Sequence, residues 1–257
     1  MKITGGPIVL IPNVLFPLTL VVTYSVSLHH KHIIAIFPYI SNTGNYPVES
    51  CIFSLGLNIV AALYTMIAHL RYVQMKELLP EDLRKGHILN KSSLITGIVA
   101  SVALSMTANF QQTNIIMIHE GAALLCSYMA LLYFWHQNFL ATFCSGCTKR
   151  RIMIFRITLT VVSTLAHMTA PGVFLYSVFG HKLPKGSVTE WINRDEIAAG
   201  LFRTGSSLEW IVFVCNLLYM SSFYSEFKKI SIEAGSIVVT GGPERKTKDE
   251  SETERRN

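Results

Sequence analysis

Residues 7–28 read PIVLIPNVLFPLTLVVTYSVSL. The stretch carries no charged side chain. A helix rises about 1.5 Å per residue and the hydrocarbon core of a bilayer is about 30 Å thick, so this run is long enough to cross it. It exceeds a signal-peptide core, and no small-x-small cleavage site follows, so it reads as a retained helix. Five more apolar runs follow, at about 51–70, 92–110, 115–140, 152–179 and 200–223, each near the length of a span. The expected fold is all-α: a polytopic membrane protein, a bundle of six transmembrane helices, over residues 1–233. Residues 234–257 end in GGPERKTKDESETERRN. They are polar and mixed in charge, and are expected to form a disordered cytosolic tail.

Composition agrees. Of 257 residues 50% are hydrophobic and 15% charged, with mean hydropathy +0.39. Soluble domains average about 25% charged residues. Five cysteines are too few, and odd in number, for a secreted disulfide scaffold. The formal net charge is +6, which reads as topology rather than nucleic-acid binding. Of the 22 Lys and Arg, sixteen fall at the N-terminus, in the second and fourth loops and in the tail. Four fall in the other loops, and Arg156 and Arg203 lie at helix ends. By the positive-inside rule both termini are cytosolic, and membrane lipids are expected partners.

Ionisable residues within spans are functional candidates. With both ends inside, Asn58, His119, Glu120, Arg203 and Glu209 fall in the luminal or extracellular half. That predicts a polar cluster there, for binding or for holding the bundle together. His167 lies mid-span in the fifth helix. His119-Glu120 resembles the start of H-E-x-x-H, but Ala123 stands where the second histidine belongs, so a zinc-protease site is excluded. No nucleophile elbow or phosphate loop occurs. No metal, cofactor or catalytic residue is expected, although a lipid hydrolase using Glu120 or Glu209 as base stays open as an alternative.

Other features have structural readings. Gly97, Ser101 and Ser105 are spaced for close helix packing, within the chain or in an oligomer. Ala170-Pro171-Gly172 should bend the fifth helix. Cys144 and Cys147 lie in the fourth, cytosolic loop beside Lys149-Arg150-Arg151 and are candidates for palmitoylation. Tyr224–Phe227 has the form of a tyrosine sorting signal close to the sixth span. The sequon at Asn90 lies on the cytosolic side, where no glycan is expected.

The first outer loop reads FPYISNTGNYPVES over 37–50. Its prolines, glycine and asparagines imply a fixed turn. Pro38, Tyr39, Ser41, Thr43, Gly44, Pro47 and Glu49 form a pattern, P-Y-I-S-x-T-G-x-x-P-x-E-S, that resembles the signature of the damage-regulated autophagy modulator (DRAM) family. Leu28-His29-His30, Leu57-Asn58-Ile59, Arg71-Tyr72, Ala108-Asn109-Phe110-Gln111, His119, Glu209-Trp210 and Phe227–Ser231 match as well, so the likeness runs from about residue 8 to 233. Asn42 and Val48 depart from the pattern. The wider group includes scaffolds of phosphatidylinositol 4-kinase and a factor in GPI-anchor lipid remodelling. The resemblance implies a non-enzymatic regulator of autophagy in lysosomal or endosomal membranes, in some members linked to cell death. It would act through unknown protein partners at the cytosolic loops and tail. A plasma-membrane scaffold for phosphoinositide synthesis and a lipid-remodelling or lipid-binding factor are the alternatives.

Overall fold

The computed structural model describes residues 2–33, 35, 38–144, 148–175, 196–233 and 236–239. A short strand β1 (Lys2–Thr4) leads into α1 (Gly5–His29). A 3-10 turn (Ser41–Gly44) precedes α2 (Pro47–Leu78), α3 (Arg84–Asn109), α4 (Ile116–Phe143) and α5 (Arg150–Leu175). Then come α6 (Glu196–Ser221), a single turn α7 (Tyr224–Phe227) and the strands β2 (Ile230–Glu233) and β3 (Ser236–Val239). The helices α1 to α5, and α6 continued through α7, are the six long and apolar enough to span a membrane. Ile11, Val14, Leu18 and Val21 on α1 are each more than half exposed, as a lipid-facing stripe should be.

The helices α2 and α3 are longer than their apolar runs. The α2 helix starts at Pro47, whose missing N–H costs nothing at a helix start, and continues eight residues past Leu70. At the ends of the expected spans and beyond them, Met75, Leu79, Leu140 and Cys144 form their own buried cluster, joined by Leu78, Leu83 and Leu89. Packing between α2, α3 and α4 thus sustains helix where hydropathy has already fallen. The α5 helix runs on through position 171 to Leu175.

A three-stranded antiparallel sheet closes one face. Lys2, Ile3 and Thr4 pair with Glu233, Ile232 and Ser231. The start of α1 and the end of α6 are therefore on the same side of the bundle. Gly5 permits this: a Cβ there would meet the Phe227 carbonyl. β3 falls inside the stretch expected to be disordered from 234 onward. Pairing with β2 orders four of those residues; 240–257 lie outside the described residues.

Two larger clusters fill the bundle. One holds Val9, Ile67, Phe134, Tyr219, Phe223, Phe227 and Ile230 near the sheet. The other holds Leu20, Ile40, Phe53, Leu57, Ala108 and Phe213 at the opposite end. The small-residue stripe of α3 faces inward. Gly97 lies against Ala68 and Tyr133, and Ser105 donates to Asn58. Gly97→Leu is therefore expected to destabilise the isolated chain by about 1–3 kcal/mol through overpacking, with its mass in mild detergent unchanged. Loss of an oligomer without loss of thermal stability would show instead that the stripe is an interface between copies.

Two sequence features are absorbed by this packing. Asn90 is buried and donates to the Tyr72 carbonyl, so the sequon asparagine is occupied. Tyr224–Phe227 forms α7 and buries Glu226 and Phe227, so no extended sorting signal is presented.

Candidate functional site: a pinned outer loop and a buried charge cluster

The loop between α1 and α2 is fastened on four sides. Trp210 Nε1 on α6 donates to the Pro38 carbonyl at 2.9 Å, and the Ile40 N–H donates to Glu209 Oε2 at 2.8 Å. Tyr39 packs edge-on against Phe202 of α6. Burial, with Glu209 and Glu120 nearby, pushes the Tyr39 phenol up to about 12, so it is neutral at any physiological pH. A Cβ at Gly205 would overlap the Tyr39 hydroxyl, so glycine on α6 makes room for that ring.

Against α1, Thr23 and Thr43 share a hydroxyl hydrogen bond of 3.1 Å, and Ser27 donates to the Thr43 carbonyl. Thr43 also donates to the Ile40 carbonyl, closing the turn that begins at Ser41. Against α2, Gly44 faces Phe53 with no room for a Cβ. Glu49, in the first turn of α2, is fully buried. Its Oε1 accepts from Ser27 and pairs with His32 Nδ1. A carboxylate there also faces the positive end of the helix dipole. On the fourth side, Thr113 donates to the Asn45 carbonyl. Val48 is exposed and Asn42 takes part through its backbone N–H, bonded to the Tyr39 carbonyl.

The five expected cluster residues are partly brought together. Asn58 joins α2 to α3, accepting from Ser105 at 2.7 Å and Asn109 at 2.9 Å. His119 is buried and donates to the Phe110 carbonyl at 2.7 Å, closing the α3–α4 turn. Glu120 accepts from Gln112. Glu209 is taken up by Ile40, whereas Arg203 is exposed. Glu120 and Glu209 each serve a different segment. Among the described residues no group of three or more His, Cys, Asp and Glu is placed to hold a metal ion.

A second polar centre, missed by the sequence reading, lies at the sheet end. Arg71 and Arg156 are each 1% exposed. By hydropathy Arg71 falls at the start of the basic second loop and Arg156 at a helix end, yet both are buried in the bundle. Glu226 of α7 lies between them, with Oε1 3.0 Å from Arg156 Nη1 and Oε2 2.7 Å from Arg71 Nη1. The second contact is an ion pair whose angle falls outside hydrogen-bond geometry. Arg71 donates to Gln137 and Gln74, Arg156 to Ser222, and Thr148 to Glu226. The Phe223 ring lies 4.9 Å from one guanidinium and 4.2 Å from the other. A cation over an aromatic face gains electrostatic attraction. The available signal was spacing: Arg156, Thr160, Ser163 and His167 recur on one face of α5, and all four are buried.

A family model described as the Frag1/DRAM/Sfk1/Cwh43P N-terminal domain matches residues 7–230, from the first turn of α1 to β2. The chain belongs to this family. DNA damage-regulated autophagy modulator protein 2 of Homo sapiens is 31% identical over 212 residues, covering 81% of this chain and 77% of that protein. The Mus musculus protein of the same name is 28% identical over 83% of this chain and 80% of its own length. Modulator of macroautophagy TMEM150B of Danio rerio is 28% identical over 80% of this chain and 77% of its own. No solved structure gives a significant match.

In this Frag1/DRAM chain the motif residues act as fasteners. The outer-loop signature and Glu209-Trp210 bond to each other across 169 and 172 residues of sequence. Asn109 bonds back to the Ser105 carbonyl and across to Asn58, and the Phe110 carbonyl, accepting from His119, fixes the α3–α4 turn. Cys144 is buried and disulfide-bonded, so acylation of its sulfur would first require reduction. Cys147 lies outside the described residues.

Proposed function

We propose that this chain is a non-enzymatic membrane regulator of autophagy. It resides in lysosomal or endosomal membranes with both termini cytosolic, and its outer loop faces the lumen. The observation that carries this reading is the match, over about four fifths of the chain, to proteins named as modulators of autophagy or macroautophagy. The outer site supports a binding or scaffolding role. Each of its carboxylates is engaged in holding backbone or a neighbouring side chain, which suits a rigid recognition surface better than proton transfer. The exposed basic residues Lys149, Arg150, Arg151, Lys228 and Lys229 suit the anionic cytosolic leaflet. That basic face also favours the second reading, a plasma-membrane scaffold for phosphoinositide synthesis.

A C-terminal pH-sensitive fluorescent tag tests location and orientation together. The expected result is co-localisation with lysosomal markers and the signal of neutral cytosol, with deletion of the chain altering autophagic flux. Signal at the cell surface would favour the phosphoinositide scaffold. A quenched tag in an acidic lumen would overturn the orientation.

A further inference from the structure

The charge cluster at the sheet end does not balance. Arg71 and Arg156 bring two positive charges, and among the described residues Glu226 is the only acid paired with either. Taking an uncompensated charge out of water costs several kcal/mol, and burial of a polar group without a partner adds to it. Two donors in this cluster also lack acceptors. Arg156 Nη2 and the Tyr133 hydroxyl are both buried and unbonded. Tyr133 is 4% exposed and stands one helical turn before Gln137, on the same face of α4, where Gln137 accepts from Arg71. Water could satisfy the donors but would leave the net charge in place.

We propose that this cluster is a binding site for a halide-sized monovalent anion, held by Arg156 Nη2 and the Tyr133 hydroxyl and balancing the second arginine. Chloride is the abundant ion of that class. An anion would complete a neutral set of two guanidiniums and two negative charges. The burial of both guanidiniums selects against anything as large as a lipid phosphate. Entry is from the sheet face, where exposed Lys149, Arg150, Arg151, Lys228 and Lys229 concentrate anions.

The test uses the full chain in nanodiscs of zwitterionic lipid, with thermal unfolding followed in sodium chloride against sodium gluconate at equal ionic strength. A ligand that binds only the folded state raises the midpoint in a saturable way. The expected result is a saturable rise with chloride and with bromide, absent in gluconate. Tyr133→Phe removes one donor with little change of shape and should shift the half-saturating chloride concentration up by about tenfold. Equal midpoints in chloride and gluconate would overturn the site, and this wild-type comparison decides even if the variant fails to fold. An undiminished chloride response in a folded Tyr133→Phe protein would also overturn it. So would stabilisation that appears only on adding anionic lipid, which would assign the charge to a headgroup.

Discussion

Replacing Glu226 with glutamine is expected to be the most damaging single change at the sheet end of the bundle. Among the described residues Glu226 is the only acid that pairs with Arg71 and Arg156, and it accepts from Thr148 as well. Glutamine keeps the shape and one carbonyl oxygen but removes the charge. Breaking a buried ion pair from one side typically costs about 3–5 kcal/mol, because the remaining charge stays desolvated. For a chain of this size that corresponds to a fall of about 10 °C in the thermal midpoint. The damage should spread beyond α7. Gln74 donates to the Glu226 carbonyl, Arg71 bridges to Gln137 on α4, and Gln137 donates to Ser93 on α3. Proteolysis should therefore open several helix contacts together. The decisive control is apolar replacement of the whole set: Arg71→Met with Arg156→Met and Glu226→Leu should recover part of the loss, since no charge is then buried. If Glu226→Gln matches the wild-type midpoint, the cluster is not what holds this end together.

The second large effect is expected at Glu209. Its carboxylate is the acceptor for the Ile40 N–H, and the neighbouring Trp210 holds the Pro38 carbonyl. Glu209→Ala leaves the Ile40 N–H without its partner. Leaving a buried N–H without its acceptor costs about 1–3 kcal/mol. The loss is local, so hydrogen exchange should rise sharply across residues 38–46 while α2 and α3 stay protected. Autophagic flux should fall to the level of the deletion, provided that the loop is the recognition surface. Glu209→Gln separates this from catalysis. Its carbonyl can still accept from Ile40, so a pinned loop predicts nearly normal flux. Loss of flux in a Glu209→Gln protein that folds and sorts normally would point to acid–base chemistry at Glu209 instead.

Much of this architecture was legible from hydropathy. Crossing a bilayer demands internal satisfaction of every backbone hydrogen bond over a fixed thickness, so span number and approximate placement follow from apolar run length. The helix extensions of α2 and α3 were not legible, because their helical state rests on contacts among Met75, Leu79 and Leu140 rather than on local hydropathy. The outer site was half legible. Its residues stood out as polar groups in apolar context and as a family motif, and Glu209 does hold the loop at Ile40. Asn58 and His119 instead fasten α2 to α3 and α3 to α4, and Arg203 is exposed. Asn13 went unnoticed within an uncharged run, yet it bonds to both Tyr64 and Ser221.

The sequence by itself determined the solvent and the six spans. These depend on composition summed over about 20 residues at a time, and such sums survive without knowledge of neighbours. Only the tertiary structure decided which polar groups meet. Arg71, Arg156 and Glu226 are distant in the chain and two of them sit near span ends, where a charge reads as a surface residue. Whether it is solvated or buried depends on the helices packed around it. That is a property of the assembled bundle, and hydropathy along one strand of sequence contains no term for it.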